Sequence, residues 1–174
     1  GSRLSGPEKK HIELIKAFAL FKERTKSPHR LVIAGAEGPS SEEVHRAASL
    51  SPAASDIFLT GFFPHESFPL LYAGADACLF PSVNEGVGLP ILEAMATGIP
   101  VACAASGALP EMGGDAAFYF DPNDIEEVAS AMEKLVTDSA FRETMVASGL
   151  RRAQRFSWET TVTETIEVMK KIVR

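Results

Sequence analysis

Apolar residues in this chain fall in short unbroken runs, separated by stretches with helical spacing. Leu31–Ala34, Ile57–Thr60, Ala77–Phe80, Val101–Ala104 and Ala116–Phe120 read as strands. None alternates cleanly between apolar and polar side chains. The pattern therefore predicts strands covered on both faces, as in a parallel sheet between helical layers. Between the runs, His11–Arg24 places Ile12, Ile15, Phe18 and Ala19 on one face of a helix. Ser40-Ser41-Glu42-Glu43 has the form of a capping box. Leu70, Leu71 and Tyr72 belong to a helix ended by Gly74, and Pro90 suits the first turn of a helix stopped by Gly98. Ile125–Asp138 follows an Asx start at Asn123 or Asp124. After Phe120 the pattern is helical throughout, over Ala140–Phe156 and Trp158–Val173. Strands and helices alternating through short connections predict an α/β fold, a Rossmann-like doubly wound parallel sheet with carboxyl-terminal helices.

Two features of the pattern look incomplete. The first helix starts near residue 10 with almost no strand before it. The last one carries Trp158, Val162, Ile166, Met169 and Ile172 or Val173 on one stripe, which needs a surface to cover. The expected division is a Rossmann-like domain over 1–156 and a separate helix over 157–174.

Composition narrows the field. At 174 residues and 18.7 kDa, the chain has room for one domain or at most one and a half. Its 17 basic and 23 acidic residues leave a net charge of −6. That balance argues against nucleic acid or an anionic membrane as the main partner, since both are polyanions. A hydrophobic share of 45% and a charged share of 23% exclude disorder. No apolar run approaches the ~18 residues that span a bilayer. The chain opens Gly1-Ser2-Arg3-Leu4 with no visible signal sequence, and Cys78 and Cys103 lie in apolar stretches. Both read as reduced thiols of a cytoplasmic protein.

Candidate chemistry concentrates between Pro81 and Glu93. A buried strand ends at Phe80, a loop with two glycines follows, and a helix starts near Leu89. Open α/β sheets bind ligands at such carboxyl ends of strands. Gly86 and Gly88 allow backbone N–H groups to approach a ligand, and the helix start adds unpaired donors suited to a phosphate. Glu85 lies in the loop and Glu93 about one turn into the helix, so both carboxylates can face one pocket. A carboxylate accepts two hydrogen bonds from a vicinal diol, which suits a sugar and a ribose. For Glu93 an exposed helical acid is the equal alternative. The glycines form no dinucleotide fingerprint, because Ile91 stands where a third glycine belongs. Gly35-Ala36-Glu37-Gly38 fails the same pattern, and no Walker A sequence occurs. His11, His29, His45 and His65 lack metal-ligand spacing, and no Ser/His/Asp nucleophile follows from spacing.

Glu85 and Glu93, with seven residues between them inside EGVGLPILEAMATGIPV, resemble the paired-glutamate motif of retaining glycosyltransferases of the GT-B fold, family 4. PEKKHIELIKAF (7–18), LVIAG (31–35), FLTGFFPHESFPLLYAGADACLFPS (59–82), SGALPE (106–111), FYFDPND (118–124) and RFSWE (155–159) fall in that family's order. The resemblance covers the carboxyl-terminal, donor-binding half of such enzymes. It implies that Arg3 and Lys9 neutralise the donor diphosphate, with Lys10 second to Lys9. It implies that Glu93 binds the ribose hydroxyls and Glu85 the transferred sugar. Backbone groups of Gly86, Val87, Gly88 and Leu89 would hold sugar and diphosphate. Phe62 and Phe63 would line the nucleobase pocket, with core packing the equal alternative for either, and Gly35 would border it. Ser106-Gly107 lies near the same edge without an assigned role. Glu111 matches a recurrent acid and is expected to be a structural cap.

The activity so implied is transfer of a hexosyl group from a GDP- or UDP-type sugar nucleotide to an acceptor hydroxyl, with a lean to GDP-mannose and to polysaccharide synthesis. No cofactor is expected. No metal is expected either, since Asp-x-Asp is absent and basic side chains take its place. The partner implied is an amino-terminal acceptor-binding domain that this chain lacks. The last helix would pack on that domain, and here would fold back or leave apolar surface open for self-association. Peripheral membrane association concerns only the full-length enzyme, and nucleic acid is not expected. The alternatives are a nucleotide-sugar epimerase on the same architecture, and a non-catalytic nucleotide-binding or interaction subunit.

Overall fold

The computed structural model describes residues 3–4, 9–38 and 40–172. In chain order the strands are β1 (Arg3–Leu4), β2 (Leu31–Ile33), β3 (Ala36–Glu37), β4 (Ile57–Leu59), β5 (Cys78–Phe80), β6 (Val101–Ala104) and β7 (Ala117–Phe120). The helices are α1 (His11–Thr25), α2 (Ser41–Ser49), α3 (Phe68–Ala73), α4 (Leu89–Ala96), α5 (Leu109–Gly113), α6 (Ile125–Thr137), α7 (Ser139–Ala153) and α8 (Trp158–Ile172). Every strand pairing among the described residues is parallel: β1 with β3, β2 with β4, and β6 between β5 and β7. Parallel neighbours need a crossover, and helices supply it. The architecture is therefore the expected α/β, Rossmann-like arrangement. β3 was not anticipated, and β1 stands where the sequence offered almost no strand.

Burial on both faces holds at β6, where Val101, Ala102, Cys103 and Ala104 are fully enclosed. It fails at the β2–β4 pair. Val32 and Phe58 sit opposite each other in register and are 45% and 44% exposed, so an apolar run does not guarantee two covered faces. The Arg30 guanidinium lies over the Phe58 ring at 5.6 Å and covers part of that surface.

The core forms where helices lie on the strands. α1 buries Leu14, Ile15, Ala17, Phe18 and Phe21, a broader stripe than the one read from spacing, and packs on α6. α6 contributes Val128, Ala129, Ala131, Met132 and Leu135. α4 buries Ile91, Leu92, Ala94 and Met95 and packs on α7.

The helix ends follow local chemistry with one correction. Asp124 caps α6, its carboxylate accepting from the N–H groups of Glu126 (2.8 Å) and Glu127 (3.2 Å). The capping box at Ser40 does not form, since Ser40 makes no side-chain cap. Instead the neighbouring Ser41 hydroxyl turns back and accepts from the Gly38 N–H at 2.7 Å, closing the preceding loop. α8 has no buried residue, and Trp158 and Ile172 are 75% and 77% exposed. It does not fold back. Its apolar stripe stands open to solvent, and Val173 lies outside the described residues.

Candidate functional site

The carboxyl end of β5 leads into the loop Pro81–Gly88, and α4 begins at Leu89. Pro81 and Ser82 are buried and anchor the start of the loop. Its far end is Gly88, whose φ of 77° puts it in the left-handed region that favours glycine. A side chain there would also press on Leu109, since its Cβ would lie 3.0 Å from Leu109 Cδ2. No side chain caps the amino end of α4. Gly86, Val87 and Leu89 are exposed on this segment.

A second loop, Ala105–Ala108 after β6, holds the first one in place. The Ser106 hydroxyl donates to the Ser82 carbonyl at 3.2 Å, and the Ala108 N–H donates to the Glu85 carbonyl at 3.2 Å. Gly107, at φ 58°, brings its backbone so close that a Cβ would stand 3.2 Å from Glu85 N and 3.3 Å from Glu85 O. Ser106-Gly107 thus has a role that spacing could not assign: it buttresses the backbone of Glu85.

Glu85 faces Lys9. The two side chains form an ion pair through Lys9 Nζ and Glu85 Oε1, across 76 residues of sequence, with exposures of only 23% and 26%. Lys10 pairs instead with Glu13, at 3.6 Å. The backbone of Arg3 lies in β1, paired with Ala36, but its side chain is outside what is described.

Glu93 is exposed on α4, beside α3. There it meets Tyr72, a buried phenol. Burial pushes the Tyr72 hydroxyl well above its ordinary pKa, and the charges of Cys78 and Glu93, with a hydrogen bond to Glu93, add to the rise. Tyr72 therefore stays protonated and can donate to the Glu93 carboxylate.

The two phenylalanines after β4 part company. The Phe63 ring meets Phe68 edge-on at 5.4 Å and belongs to a cluster with Tyr72 through Phe68. Phe62 is 78% exposed and keeps a free aromatic face at the carboxyl end of β4. Gly35 is buried, and its N–H donates to the Gly61 carbonyl at 3.2 Å, strapping together the ends of β2 and β4 beside Phe62. Glu111 is not a cap: α5 starts without a side-chain cap, and it is the Glu111 carbonyl that accepts from Arg152.

Burial shifts further titratable groups. Burial, chiefly, lowers His11 to about 4, with Lys9 next in order, so it is neutral at pH 7. Burial pushes both thiols up to about 12, so Cys78 and Cys103 are inert in the sense read from sequence. The structure also assembles a Ser/His/Asp chain that spacing missed. Ser27 Oγ meets His29 Nδ1, and His29 Nε2 lies 3.2 Å from Asp76 Oδ2. Ser27 is buried, and Asp76 is shared with Arg142 at 3.3 Å. This cluster precedes β2 and β5, at the amino ends of the strands, and clasps them together at the edge opposite the glycine loop. His45 lies 3.3 Å from Glu37, and the His65 side chain is outside what is described.

The fold is of the doubly wound α/β class, whose ligand sites lie at the carboxyl edge of the strands. Over residues 3–152 the chain matches the family of glycosyl transferases group 1, and it belongs to that family. Among its relatives is O-antigen chain mannosyltransferase B of Escherichia coli, 36% identical over 94% of this chain and 43% of that protein. A D-inositol 3-phosphate glycosyltransferase from a Nocardioides strain is 34% identical over 82% of this chain and 34% of its own length. Among solved structures, Anabaena HepE in complex with UDP and glucose is 26% identical, with a TM-score of 0.84 over 98% of this chain and 47% of that one. The C-terminal domain of LpcC, a glycosyl transferase group 1 family protein of Francisella tularensis, is 24% identical and shares the fold at a TM-score of 0.77, over 88% of this chain and 81% of its own length. The chain thus spans less than half the length of the curated relatives it matches.

Proposed function

We propose that this chain is the sugar-nucleotide-binding part of a retaining, metal-independent hexosyltransferase. The observation that carries the reading is the meeting of Lys9 and Glu85 at the glycine loop, across 76 residues of sequence, inside a chain of this family. In this reading the diphosphate of the donor lies along the Gly86–Leu89 backbone and the open start of α4. Lys9, with Arg3, takes the charge that grows on the leaving diphosphate as the glycosidic bond breaks. A cation placed there lowers the barrier because it binds the transition state more strongly than the ground state. Glu93, steadied by Tyr72, accepts from the two ribose hydroxyls, and Glu85 from a hydroxyl of the transferred sugar. Phe62 offers a face for the base, and Gly35 borders it.

The lean to a mannosyl group is supported by the relatives named mannosyltransferases, and GDP is the carrier proposed with it. A UDP-linked hexose is the second reading, favoured by the UDP and glucose in the HepE complex. The acceptor side belongs to the part of the longer relatives that this chain does not span, and the open stripe of α8 is where that part would pack. The domain alone would bind donor without turning it over. Two unpaired cysteines support a cytoplasmic setting for the reaction.

Titration of the chain with UDP, GDP and ADP, for wild type and Glu93→Ala, tests the site. Losing a charge-assisted contact to the ribose should cost about 1.5–3 kcal/mol, or roughly tenfold to a hundredfold in affinity. An unchanged affinity would remove Glu93 from the site.

A further inference from the structure

We infer that the Lys9–Glu85 pair makes the site discriminate a sugar-bearing donor from a bare nucleoside diphosphate, so that Glu85 acts as a specificity residue through Lys9. The inference rests on the proposed reading of the site.

The ammonium of Lys9 is engaged by the carboxylate of Glu85. Neither group is free to drift into solvent, since each side chain is about three-quarters buried and the Glu85 backbone is pinned by Ala108 and crowded by Gly107. An incoming diphosphate needs Lys9, so it must take the ammonium away from Glu85. What happens next depends on what the diphosphate carries. A hexosyl group presents hydroxyl donors that replace the lost ammonium, and the carboxylate keeps its hydrogen bonds. A bare nucleoside diphosphate presents none. It leaves a largely buried carboxylate unpaired and close to a terminal phosphate of the same sign, which is unfavourable twice over. The pair is therefore neutral toward donor and selects against the nucleotide product, which favours product release after transfer.

The test is a double-mutant cycle on nucleotide binding by the whole chain. GDP and UDP are titrated against wild type, Glu85→Gln, Lys9→Met and the double variant, with GDP-mannose and UDP-glucose in parallel. Gln is isosteric with Glu, and Met follows the Lys stem, and thermal melts check that each variant folds. Lys9→Gln replaces Lys9→Met should the latter not fold. The expected result is that Glu85→Gln binds the bare nucleotide about fivefold tighter than wild type, the scale of a partly exposed ion pair. Its affinity for the sugar nucleotide should not rise. In the Lys9→Met background only the repulsion between carboxylate and phosphate remains, so the Glu85→Gln change should tighten nucleotide binding clearly less than it does beside Lys9.

Three results would go the other way. Wild type binding no nucleotide would sink the reading of the site itself. Wild type binding nucleotide, with Glu85→Gln no tighter, would overturn this inference and leave the reading standing. Tightening of the same size with and without Lys9 would show plain charge repulsion, and the pair would not be the device.

Discussion

Replacing Gly107 by alanine isolates the contact that sets the backbone of Glu85. Two penalties arise at this position. The first is conformational, because φ at 58° is a backbone region that L-residues avoid at a cost of about 1–2 kcal/mol. The second is steric. The new Cβ would meet Glu85 N at 3.2 Å and Glu85 O at 3.3 Å, and both are backbone atoms that cannot swing aside. The loop must give way by a few tenths of an ångström, and such overpacking costs roughly 1–3 kcal/mol more. Gly98→Ala is the matched control. Its φ of 76° carries the first penalty, while its nearest neighbours, on Leu150 and Val146, lie at 4.0 Å. Urea unfolding should place Gly107→Ala below Gly98→Ala by the steric increment. The displacement also moves the Glu85 carboxylate and loosens the 3.2 Å bond from Ala108, so sugar-nucleotide affinity should fall in Gly107→Ala and hold in Gly98→Ala. Equal stability of the two variants, with equal sugar-nucleotide affinity, would mean that the second loop does not support the first.

Gly86→Ala should leave stability within about 0.5 kcal/mol of wild type, since a Cβ there meets nothing within 4 Å, yet weaken sugar-nucleotide binding wherever the backbone must touch the diphosphate. Calorimetric titration alongside urea unfolding separates the two. His11 is held at about 4 against an ordinary 6.5, so the unfolded chain binds the extra proton first on acidification. Its contribution is present above pH 6.5 and is lost as the pH falls from there toward 4, on the order of 3 kcal/mol in total. A His11→Gln variant should flatten that acid limb in melts taken from pH 7 to 4. Arg152→Ala should cost about 1.5–3 kcal/mol by removing charge-assisted bonds to the carbonyls of Glu111 and Met112, read as a lower urea midpoint.

Much of this molecule could be read without coordinates, and the reason differs by feature. Apolar runs and glycine or proline stops are local signals, so the five strands, Pro90 in the first turn of α4 and an Asx start of α6 at Asn123 or Asp124 emerged from spacing, and the structure chose Asp124. Glu85, Glu93 and the glycines between them are neighbours in sequence, and their common loop and helix start followed directly. Folding was needed to bring Lys9 across 76 residues onto Glu85, to seat Gly107 against the same loop, and to link Ser27, His29 and Asp76 at the opposite edge. It also decided which phenylalanine packs and which stays free, and that Val32 and Phe58 face solvent despite their apolar runs. Periodicity records which residues prefer burial along one element. Which partner each one meets depends on how elements far apart in the chain are stacked, and that is a property of the packed domain alone.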